Sequence, residues 1–354
     1  MQSRHLTASA VLAGMVCIGP FCSAQAVTSS AVAGMLSHTV TLDVQVSDSS
    51  GKPVTGLIQD DFKILDNKQV SKLTGFSEAA TEDAKSTAPV EAVLLIDGII
   101  TPQPTLSDLH RNLAAYLHAA GSQLPLPMSL AFLTAQGLKT QSEPTRDPAV
   151  LLSNLDNNPV PSLQRQGEGY TYSAEVRQNS LQALVQLTSK LSSRPGRKLL
   201  IWISPGWGAF EAETAQKSPK EVAGLFTFEA GLSNALRQAG ITLYSVDPWG
   251  TSGAGLSGSR RYENFVKGGT SIKDVDNGDL MLQVIAVQSG GLVLYGSNNT
   301  AQFVSQCIAD GRSFYRIEFN APAAANPDEF HKVEVQVNKP GYKVRTRMRY
   351  FAEP

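Results

Sequence analysis

The chain has 354 residues, 42% of them apolar and 17% charged, and a formal net charge of −1. That is ordinary globular composition with room for two domains. The balance of 30 basic against 31 acidic residues, with no long run of either sign, excludes the electrostatic footprint of a nucleic-acid binder.

Residues 1–26 read as a signal peptide. Arg4 and His5 give a positive start, 6–21 is mostly apolar, and Ala24-Gln25-Ala26 is a small-residue cleavage signal. The apolar run is interrupted by Thr7 and Ser9 and falls short of a spanning helix. Later apolar runs are short and broken by charge. The sequence therefore predicts a secreted or periplasmic chain with no transmembrane segment after cleavage. Cys17 and Cys22 lie in that leader, so Cys307 is left alone without an internal disulfide partner.

Residues 27–37 read as a linker. Val40, Leu42, Val44 and Val46 then alternate with polar residues, the pattern of a half-buried strand. Two short strands follow at 61–65 and 70–76 around Asp66-Asn67-Lys68, giving a β segment over 38–77. A polar stretch over 78–90 reads as a second linker. From 91 to 310 buried-strand runs alternate with helical spacing: strands at 93–96, 128–134, 199–203, 241–246 and 292–295, and helices over 106–120, 147–155, 173–191, 221–239, 276–288 and 300–309. Such alternation implies an α/β domain with a mostly parallel sheet and helices on both faces. The segment 311–354 reverts to β, with strands at 314–319, 333–337 and 343–350. Three short strands at each end are marginal alone. We expect 311–354 to pair with 38–77 in one β-sandwich-like module. Two separate β units are the alternative.

In open α/β sheets, ligands sit beyond the carboxyl ends of the strands. Here those ends carry Asp97, Ser204 and Asp247. The strand Val93-Leu94-Leu95-Ile96-Asp97 and the segment Gly196-Arg197-Lys198-Leu199-Leu200-Ile201-Trp202-Ile203-Ser204-Pro205-Gly206, in this order of elements, resemble a von Willebrand factor type A domain. The flanks resemble a narrower group, the VWFA-related domain proteins of the acidobacterial type. They do so at 44–57, Asp60-Asp61-Phe62, Phe330-His331-Lys332-Val333-Glu334-Val335 and 344–350.

The resemblance implies an adhesion-type metal site: Asp-x-Ser-x-Ser after the first strand, with a Thr and an Asp from later loops. A hard cation such as Mg²⁺ or Ca²⁺ takes oxygens there. This chain departs from that pattern. Asp97 remains and Thr101 can offer a hydroxyl, but Ile99 stands where the first serine would be and Pro205 where an aspartate would be. Thr171 matches the later threonine. We therefore expect at most a degenerate metal site at Asp97, Thr101 and Thr171, no resident cofactor, and an anchoring role for the Asp97 carboxylate.

Catalytic signals are lacking. Ser204 has no Gly-x-Ser-x-Gly elbow. His110 and His118 are eight residues apart on one helix, too far to share a metal, and no glycine loop of phosphate-binding type precedes a helix. Trp207 and Phe210 follow one strand. A long loop over 248–273, carrying Trp249, Arg260, Arg261 and Tyr262, follows Asp247 at the end of another. Aromatic residues and arginine anchor protein interfaces. The reading is an exported, non-catalytic binding protein of adhesion or scaffold type whose rim takes a protein or peptide partner. Two alternatives stay open: a metal-dependent adhesion protein using Asp97, Thr101, Thr171 and Asp247, and a hydrolase with an unrecognised site.

Overall fold

The computed structural model describes residues 39–80, 89–162, 170–207, 218–253, 262–326 and 328–352. The leader and linker expectations for 1–37 lie outside these residues. Residues 38–354 form one compact unit.

The alternating valines fold as β1 (Thr39–Ser47), followed by β2 (Phe62–Asp66), β3 (Gln69–Ser71) and β4 (Leu73–Ala80). The α/β region holds β5 (Val90–Asp97), α1 (Gln103–Ala119), β6 (Met128–Thr134), β7 (Gly137–Thr140), α2 (Pro148–Asn157), α3 (Tyr170–Ser192), β8 (Arg197–Ile203) and α4 (Pro219–Gln238). It continues with β9 (Ile241–Val246), the single turn α5 (Gly250–Gly253), α6 (Leu282–Gln288), β10 (Val293–Leu294) and α7 (Thr300–Arg312). The chain then returns to β11 (Ser313–Asn320), β12 (Glu329–Val337), β13 (Lys343–Arg345) and β14 (Arg349–Ala352).

The central sheet has the order β7-β6-β5-β8-β9-β10, parallel except for β7. Numbered within the domain this is 3-2-1-4-5-6, so the strand order reverses between β5 and β8, the place where doubly wound sheets open a crevice. Every residue of β6 and β8 is buried. Leu94 and Ile96 join Leu106, Leu113, Leu151 and Val304 under α1, α2 and α7, whereas Val93 and Leu95 join Leu184, Leu236 and Ile285 under α3, α4 and α6. This period-2 division between two apolar faces makes the strands read as continuous hydrophobic runs.

The two terminal segments interleave in two antiparallel sheets, β13-β1-β11-β4 and β14-β12-β2-β3. Val40, Leu42, Ile64, Ile317, Val333 and Tyr350 share one core between them. The fold is thus an α/β domain joined to a β-sandwich built from both ends of the described chain.

The base of the α/β domain is tied to the sandwich by buried cations. Arg197 is fully buried, with its guanidinium 4.4 Å above the Phe314 ring and its Nε 3.6 Å from Asp43 Oδ2. Lys198 Nζ donates to the carbonyls of Gly196 and Ala239 at 3.0 and 2.9 Å. Burial pulls its pKa below the usual lysine range. On α4, Asn234 donates to Phe351 O at 2.8 Å and accepts from Phe351 N at 3.3 Å, which covers the edge strand β14.

Several elements differ from expectation. The edge strand β7 is too short and polar to stand out in the sequence. β4 runs to Ala80 rather than ending at Phe76, because Glu78, Ala79 and Ala80 pair with Tyr315, Phe314 and Ser313. The helix expected over 276–288 breaks at Met281, which is extended at φ −64° and ψ 143°. A 3₁₀ turn at Asn277–Leu280 precedes it, and the Leu280 carbonyl accepts the Trp207 indole at 2.6 Å. Among the described residues no helix is long and apolar enough to cross a membrane.

Candidate functional site

β5 delivers Asp97 to the switch point with no solvent exposure. Oδ1 accepts from Ile99 N at 2.9 Å; Oδ2 accepts from Trp202 Nε1 at 3.3 Å and from Ser204 Oγ at 3.0 Å. Both donors come from β8 and its end, across the reversal in strand order. Ser204 Oγ in turn accepts from Gly206 N at 3.0 Å. Burial pushes the Asp97 carboxyl above its usual range, against the opposing pull of the Ile99, Trp202 and Ser204 donors.

These contacts test the adhesion-type metal site. Both Asp97 oxygens are engaged by protein donors, where a metal would need their lone pairs. Ile99 is buried at 3% exposure and presents hydrocarbon. Thr101 is buried, and its hydroxyl has no hydrogen-bond partner, so one oxygen of the set survives. Thr171 lies in the first turn of α3, its side chain outside the described residues. Among the described residues no three His, Cys, Asp or Glu side chains cluster as ligands. Among the described residues the set does not fit Mg²⁺ or Ca²⁺, and Asp97 links β5 to β8 through Trp202 and Ser204.

The expected rim residues separate into distinct environments. Trp207 is not on the surface: at 1% exposure it packs edge-on to Trp202, with ring centroids 5.0 Å apart. Its ring completes the apolar layer under α4 and α6, because the chain leaving β8 turns inward at Gly206 (φ 83°). Asp247 is also buried, its Oδ1 accepting from Trp249 N at 2.9 Å, and burial raises its pKa. Phe210, Arg260 and Arg261 lie outside the described residues. Tyr262 is half-buried, and burial first, then Glu263 and Tyr295, raise its phenol pKa. The chain after Tyr262 leaves the rim: Val266 O accepts from Gln288 Nε2 at 3.2 Å, and Gly269 O accepts from Arg349 Nη1 at 3.3 Å.

Trp249 does line a cleft at the carboxyl ends of the strands. One wall is the start of α1, with Pro102, Thr105, Asp108, Leu109, Arg111 and Asn112; the other is Pro248, Trp249, Asn298 and Thr300. Its volume is about 670 Å³. Asn298 holds the second wall in place by accepting from Thr251 N at 3.0 Å. Gly250 is required there, since a Cβ would lie 1.8 Å from Asn298 Oδ1 and its φ is +64°. Asp108 and Arg111 form an exposed i,i+3 ion pair, so the cleft offers charges of both signs beside an indole. The α1 wall was missed by sequence reasoning. Its only signal is that Thr105, Asp108 and Asn112 fall on the polar face of an otherwise ordinary amphipathic helix.

No protein-family model matches this sequence, and no curated protein matches it. Solved structures do match in shape. A von Willebrand factor type A protein from Catenulispora acidiphila is 11% identical with a TM-score of 0.35, over 80% of this chain and 75% of that one. Manganese-loaded TRAP protein from Plasmodium vivax is 12% identical with a TM-score of 0.33, over 77% and 96%. The pilus adhesin SpaC from Lactobacillus rhamnosus GG, in its open conformation, is 10% identical with a TM-score of 0.39. There 83% of this chain is covered, and it spans 47% of the adhesin. These matches give no support to the narrower acidobacterial-type resemblance. Solved von Willebrand factor type A structures are thus among those this chain is similar to.

Proposed function

We propose that this is an exported, non-catalytic binding protein of adhesion or scaffold type, which takes a protein or peptide partner in the cleft between α1 and Trp249. The observation that carries the reading is the cleft itself: about 670 Å³, open, at the strand ends where α/β sheets bind ligands, and lined by an indole, an arginine and amides. Among the described residues that line it, the Asp108 carboxylate is paired with Arg111. Ser204 is fully buried, bonded to Asp97 and to Gly206 N, and is not among the residues that line the cleft. The His331, Asp66 and Tyr350 contacts lie buried inside the sandwich, away from the cleft. The sandwich holds the α/β domain through Arg197, Arg345 and Arg349, so the cleft is presented from a fixed base.

The test compares proteins captured from culture medium or cell envelope by the wild-type chain, by Trp249→Ala and by Arg111→Ala. Exposed Val185→Ser on α3 serves as the remote control. A partner retained by the control and lost from both cleft variants supports the reading. Equal recovery by all four proteins would count against it.

A further inference from the structure

A second pocket, of about 250 Å³, opens between α1 and the chain that leaves α2. Its floor is hydrocarbon: Ile96, Leu106, Leu109 and Leu155, none more than 5% exposed. Its outer wall is Asn158-Pro159-Val160, and that wall is pinned on both sides. Asn158 Nδ2 donates to Asn154 O at 2.8 Å, and Ser162 N donates to Gln103 Oε1 at 2.9 Å. Between these bonds Val160 lies against Gly98, where a Cβ would come within 2.2 Å of its Cγ1. The pocket is thus pre-formed, as small-molecule sites usually are. It is also separate from the partner cleft: of the residues lining the two, Leu109 alone is shared.

Polar groups gather at its mouth. Gln103, Ser107 and His110 stand at i, i+4 and i+7 on one stripe of α1. His110 Nε2 lies 3.0 Å from Asp156 Oδ1 of α2, which places the hydrogen of a neutral ring on that nitrogen and leaves Nδ1 to accept. Gln103 Oε1 is engaged by Ser162 N, which leaves Nε2 to donate. Ser107 Oγ donates to Gln103 O at 3.0 Å and can still accept. The mouth therefore offers acceptors and an amide donor, and its one ionisable ring already faces a carboxylate. An apolar cavity of about 150 Å³ takes benzene, so this one has room for a ring with a short substituent. We propose that the pocket is a small-molecule site for a single-ring phenol. The ring packs on Leu106, Leu109 and Leu155; the hydroxyl donates to His110 Nδ1 and accepts from Gln103 Nε2. An aromatic carboxylate fits worse, because Asp156 would repel it. The assignment does not rest on the proposed partner cleft.

The test is a ligand-observed saturation-transfer titration of the full chain at about pH 8, above the ordinary imidazole range. p-Cresol should bind about tenfold more tightly than anisole, its isomer without a donor, and than 4-methylbenzoate. Ser107→Trp, at an exposed position of the mouth, should abolish binding of both neutral rings. His110→Ala should remove the preference for p-cresol and leave anisole binding as it was. If Ser107→Trp does not fold, His110→Ala decides, since that side chain is 42% exposed. No binding of p-cresol up to about 10 mM overturns the proposal. So does anisole binding as tight as that of p-cresol, or a p-cresol preference that survives His110→Ala. Tighter binding of N-acetyltyrosinamide than of p-cresol would assign the pocket to a tyrosine side chain of a protein and overturn the small-molecule site.

Discussion

Replacing Ser204 with alanine tests whether Asp97 is held as an anchor. The substitution deletes the hydroxyl that donates to Asp97 Oδ2 at 3.0 Å and accepts from Gly206 N at the same distance. A hydrogen bond to a charged group contributes about 1.5–3 kcal/mol, and a stranded donor at Gly206 adds about 1 kcal/mol. We therefore expect a loss of about 2–4 kcal/mol near neutral pH, read as a lower urea midpoint with the slope unchanged. The pH dependence makes the test specific. Burial raises the Asp97 pKa in the folded chain, so its stability contribution is complete below the ordinary carboxylate pKa. It is lost as pH rises through the folded value. Removing the hydroxyl raises that folded value further and extends the loss to higher pH. The gap between wild type and variant should therefore be smaller where Asp97 is protonated in both and widen as pH rises through the folded values. A gap below about 0.5 kcal/mol at neutral pH, or one constant with pH, would refute the anchoring role.

Other outcomes follow from the same contacts. Millimolar Mg²⁺, Ca²⁺ or Mn²⁺ should leave the thermal midpoint unchanged; a rise abolished by Asp97→Ala would restore a metal site. Arg197→Met leaves Asp43 with its 2.9 Å partner Arg316 and removes the nearer of two cations over Phe314. A cost of about 3 kcal/mol in denaturant is expected, and full stability would mean that the joint does not depend on this residue. Gly98→Ala places a Cβ 2.2 Å from Val160 Cγ1 and 3.1 Å from Leu133 O. It should cost about 1–3 kcal/mol by overpacking the start of the β5–α1 turn, measurable as a lowered midpoint.

Much of this fold can be read from local pattern. The run Val93-Leu94-Leu95-Ile96 is apolar throughout because both sheet faces are covered, and the β1 valines alternate because one face is. What stays hidden depends on distant partners. Arg197 and Lys198 look like a polar approach to a strand starting at 199, yet they are its first two residues and are buried. The sandwich, built from residues more than a hundred positions away on either side, covers that end of β8. Trp207 was expected at the rim because it follows a strand end. Its burial depends on packing against α4 and α6, a distant contact that no local period announces. The departure from the metal-site pattern was legible from Ile99 and Pro205. The bonds to Asp97 from Trp202 Nε1 and Ser204 Oγ were not, because side chains pointing across a strand-order reversal leave no spacing in the sequence.

Those bonds bear on how the proposed binding surface would work. A metal between loops joins them through an ion that must be bound first, so the loops gain their arrangement on loading. Here the cross-strand link is permanent: an indole and a hydroxyl from β8 hold the β5 carboxylate in a buried, hydrogen-bonded position. The N-cap of α1, the helix that supplies one wall of the cleft, lies five residues beyond that anchor at Pro102, with Thr101 wholly buried between them. Across the cleft, the Asp247 carboxylate ties Trp249 N to the end of β9, and Asn298 ties Thr251 N to the loop after β10. The Trp249 wall is thus fixed by side-chain-to-backbone bonds of about 3 Å that need no ion. On the proposed function, a preformed cleft has little ordering left to do on association. Loosening either tie, by Asn298→Ala or Asp247→Ala, should weaken partner binding mainly by restoring mobility to the Trp249 wall. Calorimetry would read that as a less favourable binding entropy, and an unchanged entropy in both variants would show that the wall does not depend on these bonds.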